Sequence, residues 1–132
     1  MWTSRFALST IPNMPLTLQD FLHDRHAATY VSELDAHPEA TNRLLELLND
    51  QENEDRLRHA SERHRPALDG IVHLLEDDPA IADVVPGPAG LRFRQAVGVA
   101  IRLKMESLGW ARTGTKSAVR ASHFARAERY TR

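Results

Sequence analysis

Residues 91–114 read LRFRQAVGVAIRLKMESLGWARTG, and the fold class turns on this stretch. Phe93, Ala96, Val97, Ala100, Ile101, Met105 and Leu108 recur at helical spacing along one side, which predicts a helix from Leu91 to Leu108. Arg92, Arg94, Arg102 and Lys104 fall largely away from that stripe. Gly109 suits the C′ position, where a left-handed residue closes a helix. The texture then changes. Trp110-Ala111-Arg112-Thr113, with Gly114 as the tip, leads into a stretch to Tyr130 that is poor in helix signals and predicts a β-hairpin. Ala125-Arg126-Ala127-Glu128 also suits a helical turn, so the second arm stays open. The expectation is a mainly α chain: a helical bundle, then a long helix and a C-terminal β-hairpin, in a winged-helix-like arrangement.

Upstream lies the strongest punctuation, Pro86-Gly87-Pro88-Ala89-Gly90. The charge changes sign there. Residues 1–90 hold seven Arg against sixteen Asp and Glu, a balance of −9. Residues 91–132 hold eight Arg and two Lys against two Glu, a balance of +8 hidden beneath a net −1. Such asymmetry points to nucleic acid or a membrane on the basic side; the alternative is that the two parts pair within one fold. The organisation expected is a leader or flexible start over 1–13, an acidic helical region over 14–90 and a basic helix plus hairpin over 91–132, together one compact domain.

Within the acidic region, Thr17 and Asp20 resemble a capping box at the head of a helix over 18–35. Pro38 restarts the chain as a second helix, with Leu44, Leu45, Leu47 and Leu48, to about Asn49. Asp50 to Asp55 reads as either a connection or an exposed helical turn, and Arg56 to His64 offers only Leu57 and Ala60 to a core. Pro66 starts another helix through Leu75; Asp77-Asp78-Pro79 ends it, leaving Ala80 to Val85 as a short turn of helix or a short strand.

Composition narrows the function classes. The 132 residues suit a single domain, with 42% apolar and 27% charged. The absence of cysteine rules out disulfides and thiolate metal sites, and favours a reducing, cytoplasmic setting. No apolar run nears the roughly 18 residues of a membrane span. The opening decapeptide lacks the apolar run of a signal peptide, and Met14 is a second candidate start.

The candidate nucleic-acid contacts are Arg92, Arg94, Arg102, Lys104, Arg112, Lys116 and Arg120, with Arg126, Arg129 and Arg132 extending the surface. Cations of this kind neutralise phosphates and release counterions, while a helix enters the major groove. Val97-Gly98, then Leu108-Gly109-Trp110 and a basic run, resemble the C-terminal segment of virulence-associated E-like and related phage or plasmid primase-helicase proteins, over about 35 residues. The resemblance implies a winged-helix-like accessory module of a mobile element. The family's nucleotide-binding Gly-x-x-x-x-Gly-Lys-Ser/Thr run is missing from this sequence, so no helicase or primase activity carries over. Trp110 is expected to anchor packing rather than to stack on bases.

Other chemistry ranks lower. His23 and His26, near Asp20 and Asp24, are spaced to share a helix face, but such residues usually form a solvated surface, and no metal or cofactor is expected. Ser122-His123 and the scattered Asp residues suggest no nucleophile elbow or paired acids, so no enzyme is expected. Asp50 to Asp55 with Glu76, Asp77 and Asp78 could dock on a basic protein or mimic nucleic acid; the alternative to a DNA-binding protein is therefore a phage-type protein-binding inhibitor or adaptor, acting on a host nucleic-acid-handling complex through either charged surface. A homodimer is compatible with the apolar helix faces.

Overall fold

The computed structural model describes residues 15–120 and 123–132. The expected leader, the start at Met14 and the Ser122 half of Ser122-His123 lie outside the described residues. The chain is mainly helical, with a long helix and a C-terminal two-stranded antiparallel hairpin.

The helix expected over 18–35 is three short pieces: α1 (Leu18–Leu22), α2 (Arg25–Ala28) and α3 (Val31–Ala36). Asp24 causes the first break. Its backbone is extended, and its carboxylate accepts the Ala27 N–H at 2.9 Å, so it caps a new helix instead of continuing the old one. At the head of α1, the Asp20 carboxylate accepts the Thr17 N–H at 2.9 Å, the reciprocal half of a capping box.

The next helix, α4, is Pro38–Asn49, with Pro in its first turn where no N–H is missed. The acidic stretch after it is helical. Asp50 accepts the Glu52 and Asn53 N–H groups at 2.9 and 3.4 Å and so starts α5, Gln51–Glu62. This helix buries Asn53, Glu54 and Ser61 as well as Leu57. Pro66 is followed by a 3-10 turn, Ala67–Gly70, before α6 (Val72–Asp77). Asp78 then caps α7, Pro79–Ala82, accepting the Ile81 N–H at 3.2 Å.

The long helix α8 spans Leu91–Ser107. It touches α1, α2, α3 and α4 as well as the hairpin. Its burial therefore extends beyond the expected stripe to Val99, Arg102 and Lys104, as in any helix enclosed on most sides. A Schellman motif ends it: Gly109, at φ 92°, donates to Glu106 at 3.0 Å, and Trp110 donates to Met105 at 2.9 Å. The chain is thereby turned into β1 (Ala111–Ala118), which pairs antiparallel with β2 (Arg126–Thr131).

The hairpin differs from expectation in two ways. Gly114 is not its tip but lies inside β1, at φ 82°, where the register shifts between Arg112↔Tyr130 and Lys116↔Glu128. The turn comes later, between Ala118 and Arg126, and residues 126–128 are strand rather than a helical turn. The shift has an electrostatic consequence. Continuing the Arg112↔Tyr130 register unbroken would set Lys116 opposite Arg126, whereas the bulge sets it opposite Glu128. Like charges directly opposite destabilise a strand pair, so the bulge relieves a repulsion. One apolar core cluster runs from Leu16 through α8 to Trp110, Phe124 and Tyr130.

Candidate nucleic-acid interface

The basic residues of the last 42 positions divide by their partners. Arg102 is bidentate to Asp24, with Nη2 to Oδ1 at 3.0 Å and Nη1 to Oδ2 at 3.1 Å, and it reaches Glu106 at 3.2 Å. The Arg102 hydrogen bond, followed by the Ala27 N–H, lowers the Asp24 pKa to about 2. Lys104 is 1% exposed; its Nζ lies 2.6 Å from Glu54 Oε2 and 3.1 Å from Asn49 Oδ1. These two side chains tie α8 to the acidic region, and neither presents its charge outward. A helical period cannot reveal such partners, because they lie 50 to 78 residues away in sequence.

Arg92 and Arg94 serve the backbone. Arg92 donates to the Thr29 carbonyl at 2.8 Å with its guanidinium over the Tyr30 ring at 4.2 Å, and Arg94 holds the Val85 and Gly87 carbonyls at 2.5 and 2.8 Å. Carbonyls leave the positive charge uncancelled. Arg120 meets Asp69 twice, through its N–H at 3.0 Å and its Nε at 3.3 Å, with most of its side chain in solvent. Arg112 and Lys116 are exposed on β1.

Arg94, Arg112, Lys116 and Arg126 converge on one groove of 490 Å³ between α8 and the hairpin, with Arg102 in its wall. Its other walls include His26, Tyr30, His123 and Phe124, and Glu128 is the one carboxylate among its lining residues. Arg126 donates to the Lys116 carbonyl at 2.9 Å, which holds the second arm's guanidinium beside the first arm. The groove omits Arg92, Lys104 and Arg120 from the expected set. Of the residues expected to extend the surface it includes Arg126, but not Arg129 or Arg132. His26 and Tyr30 come from the α2–α3 region, which no local pattern links to the hairpin.

Gly98 also lines the groove, and a Cβ built on it would meet nothing within 4 Å. Glycine in a helix costs roughly 0.5–1 kcal/mol relative to alanine, so the position gives up stability and keeps this wall of the groove open. Trp110 is buried at the base of β1, with Arg132 over its ring at 4.9 Å.

The acidic region is largely occupied in holding the fold. Asp50 and Asp78 cap helices, Glu54 meets Lys104, Asp55 pairs with Arg58, and Glu76 accepts the His123 N–H at 3.2 Å. Burial pushes the Asp78 pKa up, but the Arg43 guanidinium at 2.8 Å and the Ile81 N–H outweigh it, leaving the carboxyl below its ordinary value. Among the described residues, no three His, Asp or Glu side chains gather as a metal site; His26 instead packs edge-on to Tyr30.

No protein-family model matches the chain, nor does any curated protein or solved structure. The groove's exposed cations offer charge and hydrogen-bond donors to an extended anion such as a phosphate backbone.

Proposed function

We propose that the chain is a small nucleic-acid-binding accessory or regulatory protein of a phage or mobile element, acting in the cytoplasm and gripping DNA through the groove between α8 and the hairpin. One observation carries this reading: Arg94, Arg112, Lys116 and Arg126, from a helix and both strands, surround one open groove lined by a single carboxylate. The basic helix and wing of the sequence resemblance supply the element type. Contact is made by the flank of α8 that lines the groove together with the wing, since Arg102 and Lys104 are engaged by Asp24 and Glu54.

The test is fluorescence anisotropy of labelled duplex DNA across a salt series. Arg112→Gln, Lys116→Gln and Arg126→Gln combined should weaken binding and reduce the slope of log K against log salt by about 0.9 for each phosphate no longer neutralised. Unchanged affinity and slope in a folded triple variant would remove the proposed site.

A second reading is supported by Leu91, which is half exposed and lines the same groove. An apolar anchor within a cationic groove fits an acidic polypeptide, so a protein-binding inhibitor or adaptor would use the same face. Pull-down after nuclease treatment separates the readings: a partner retained without nucleic acid favours the protein, and one lost favours DNA.

A further inference from the structure

Among the described residues, a second basic recess shares no lining residue with the groove. It lies where α5, the 3-10 turn and α6 meet the end of β1, and measures 520 Å³. Asp69 is its organising residue. The carboxylate is 2% exposed, accepts the Arg120 N–H and the Arg65 Nε–H, and has the Arg120 Nε 3.3 Å away as an ion pair. Both guanidinium groups are therefore held by their inner nitrogen. This leaves outer nitrogens to act as the donor fork that suits phosphate.

Neighbouring residues add to this cationic character. Arg56 and Arg63 line it from α5 and its C-terminal end, the Arg56 Nη1 donating to Asn53 Oδ1 at 2.6 Å, and His59 and His73 are neighbouring lining residues. The floor is fixed by close packing, since a Cβ on Gly70 would fall 2.3 Å from the Arg56 carbonyl oxygen. Four arginines and three carboxylates, Asp69, Glu52 and Asp55, thus line the recess, and Asp55 is turned to Arg58 outside it. The surplus is positive, and no single phosphate would use all four forks. The volume lies in the range of small-molecule sites, roughly 300–1,000 Å³.

We infer that this recess binds a small ligand bearing two or more linked phosphates, gripped by Arg56, Arg63, Arg65 and Arg120. Pyrophosphate and the phosphate tail of a nucleotide share that chemistry. Arg120 joins the recess to the hairpin, so the bound anion also braces the wing against α5. The inference stands independently of DNA binding at the groove.

The full chain is titrated calorimetrically with pyrophosphate, ATP and AMP, with thermal melting in parallel. Saturable pyrophosphate binding with a raised melting temperature is expected, and Arg56→Gln and Arg63→Gln, both on the surface, should each weaken it about tenfold. Glu52→Gln removes an opposing charge and should tighten it by a few-fold, a gain that a folding defect cannot imitate. ATP matching pyrophosphate assigns recognition to phosphate alone, and ATP exceeding it adds the nucleoside; AMP should bind far more weakly than either. Absence of saturable binding at millimolar pyrophosphate overturns the inference. So does binding insensitive to Arg56→Gln and Arg63→Gln, or binding weakened instead by Lys116→Gln, which would locate the anion in the groove.

Discussion

Two sets of cations in the same C-terminal segment behave in opposite ways. Arg102 and Lys104 on α8 are buried and matched to Asp24 and Glu54 from the acidic region. Arg112, Lys116 and Arg126 on the hairpin face a groove whose lining holds one carboxylate. A strongly basic segment is therefore not one surface. Its inner cations bind the fold together, and its outer ones remain for a ligand. Pairing of the acidic and basic parts within one fold accounts for Arg102 and Lys104 but not for the hairpin cations.

The sharpest way to break this comparison is to remove an inner cation. Lys104→Met should cost about 3–5 kcal/mol in urea unfolding, because Glu54 is left buried without its partner. Lys104→Met with Glu54→Leu should recover most of that loss, since apolar replacement of a buried pair is often neutral. A single variant as stable as the parent would make Lys104 an outer cation after all.

Asp24→Asn comes next, at about 1–3 kcal/mol, through the weakened bond to Arg102 and a poorer cap. Its pH signature follows from the carboxyl's folded pKa of about 2. A depressed pKa contributes stability above the unfolded value, near 3.9, and that contribution is lost as pH falls towards 2. Urea midpoints between pH 5 and pH 2 should therefore fall less steeply in Asp24→Asn. An equally steep acid limb would assign the acid sensitivity to other groups.

Smaller effects probe the groove. Gly98→Ala should stabilise by about 0.5–1 kcal/mol, because the site has room for a methyl group. Gly98→Leu should keep the fold, fill the groove and weaken DNA binding, read by melting and anisotropy together. Last, Arg112→Gln, Lys116→Gln and Arg126→Gln combined should change stability by no more than about 0.5 kcal/mol, as exposed substitutions usually do. A large loss in chemical denaturation would place these residues with the inner set.

Long elements with clear stops were legible in the sequence. Pro38 and the Leu44–Leu48 stripe marked α4 through Asn49, and Gly109 marked the end of α8. Short-range chemistry was harder to place. Asp24 sits on what looks like a continuing helix, and only its hydrogen bond to Ala27 shows that it begins another. The 3-10 turn after Pro66 resembles a helix start in composition. Gly114 marked a special backbone position, but a positive φ serves a bulge as well as a turn, and pairing with β2 decides between them. The exposure of Arg112 and Lys116 was legible from their place on the expected hairpin. The roles of Arg102 and Lys104 were not, because burial on α8 is set by distant helices.

The Gly114 bulge also bears on how copies of the chain meet in concentrated solution. In the two-stranded sheet, the side of β1 away from β2 has no partner strand among the described residues. A straight, neutral strand in that position would be a template for another molecule's edge. Here the backbone bends midway and Arg112 and Lys116 flank the bend, features by which exposed edges escape edge-to-edge pairing. The irregularity that spares Lys116 from Arg126 is thus also the kind of feature that makes an open edge a poor template for another strand.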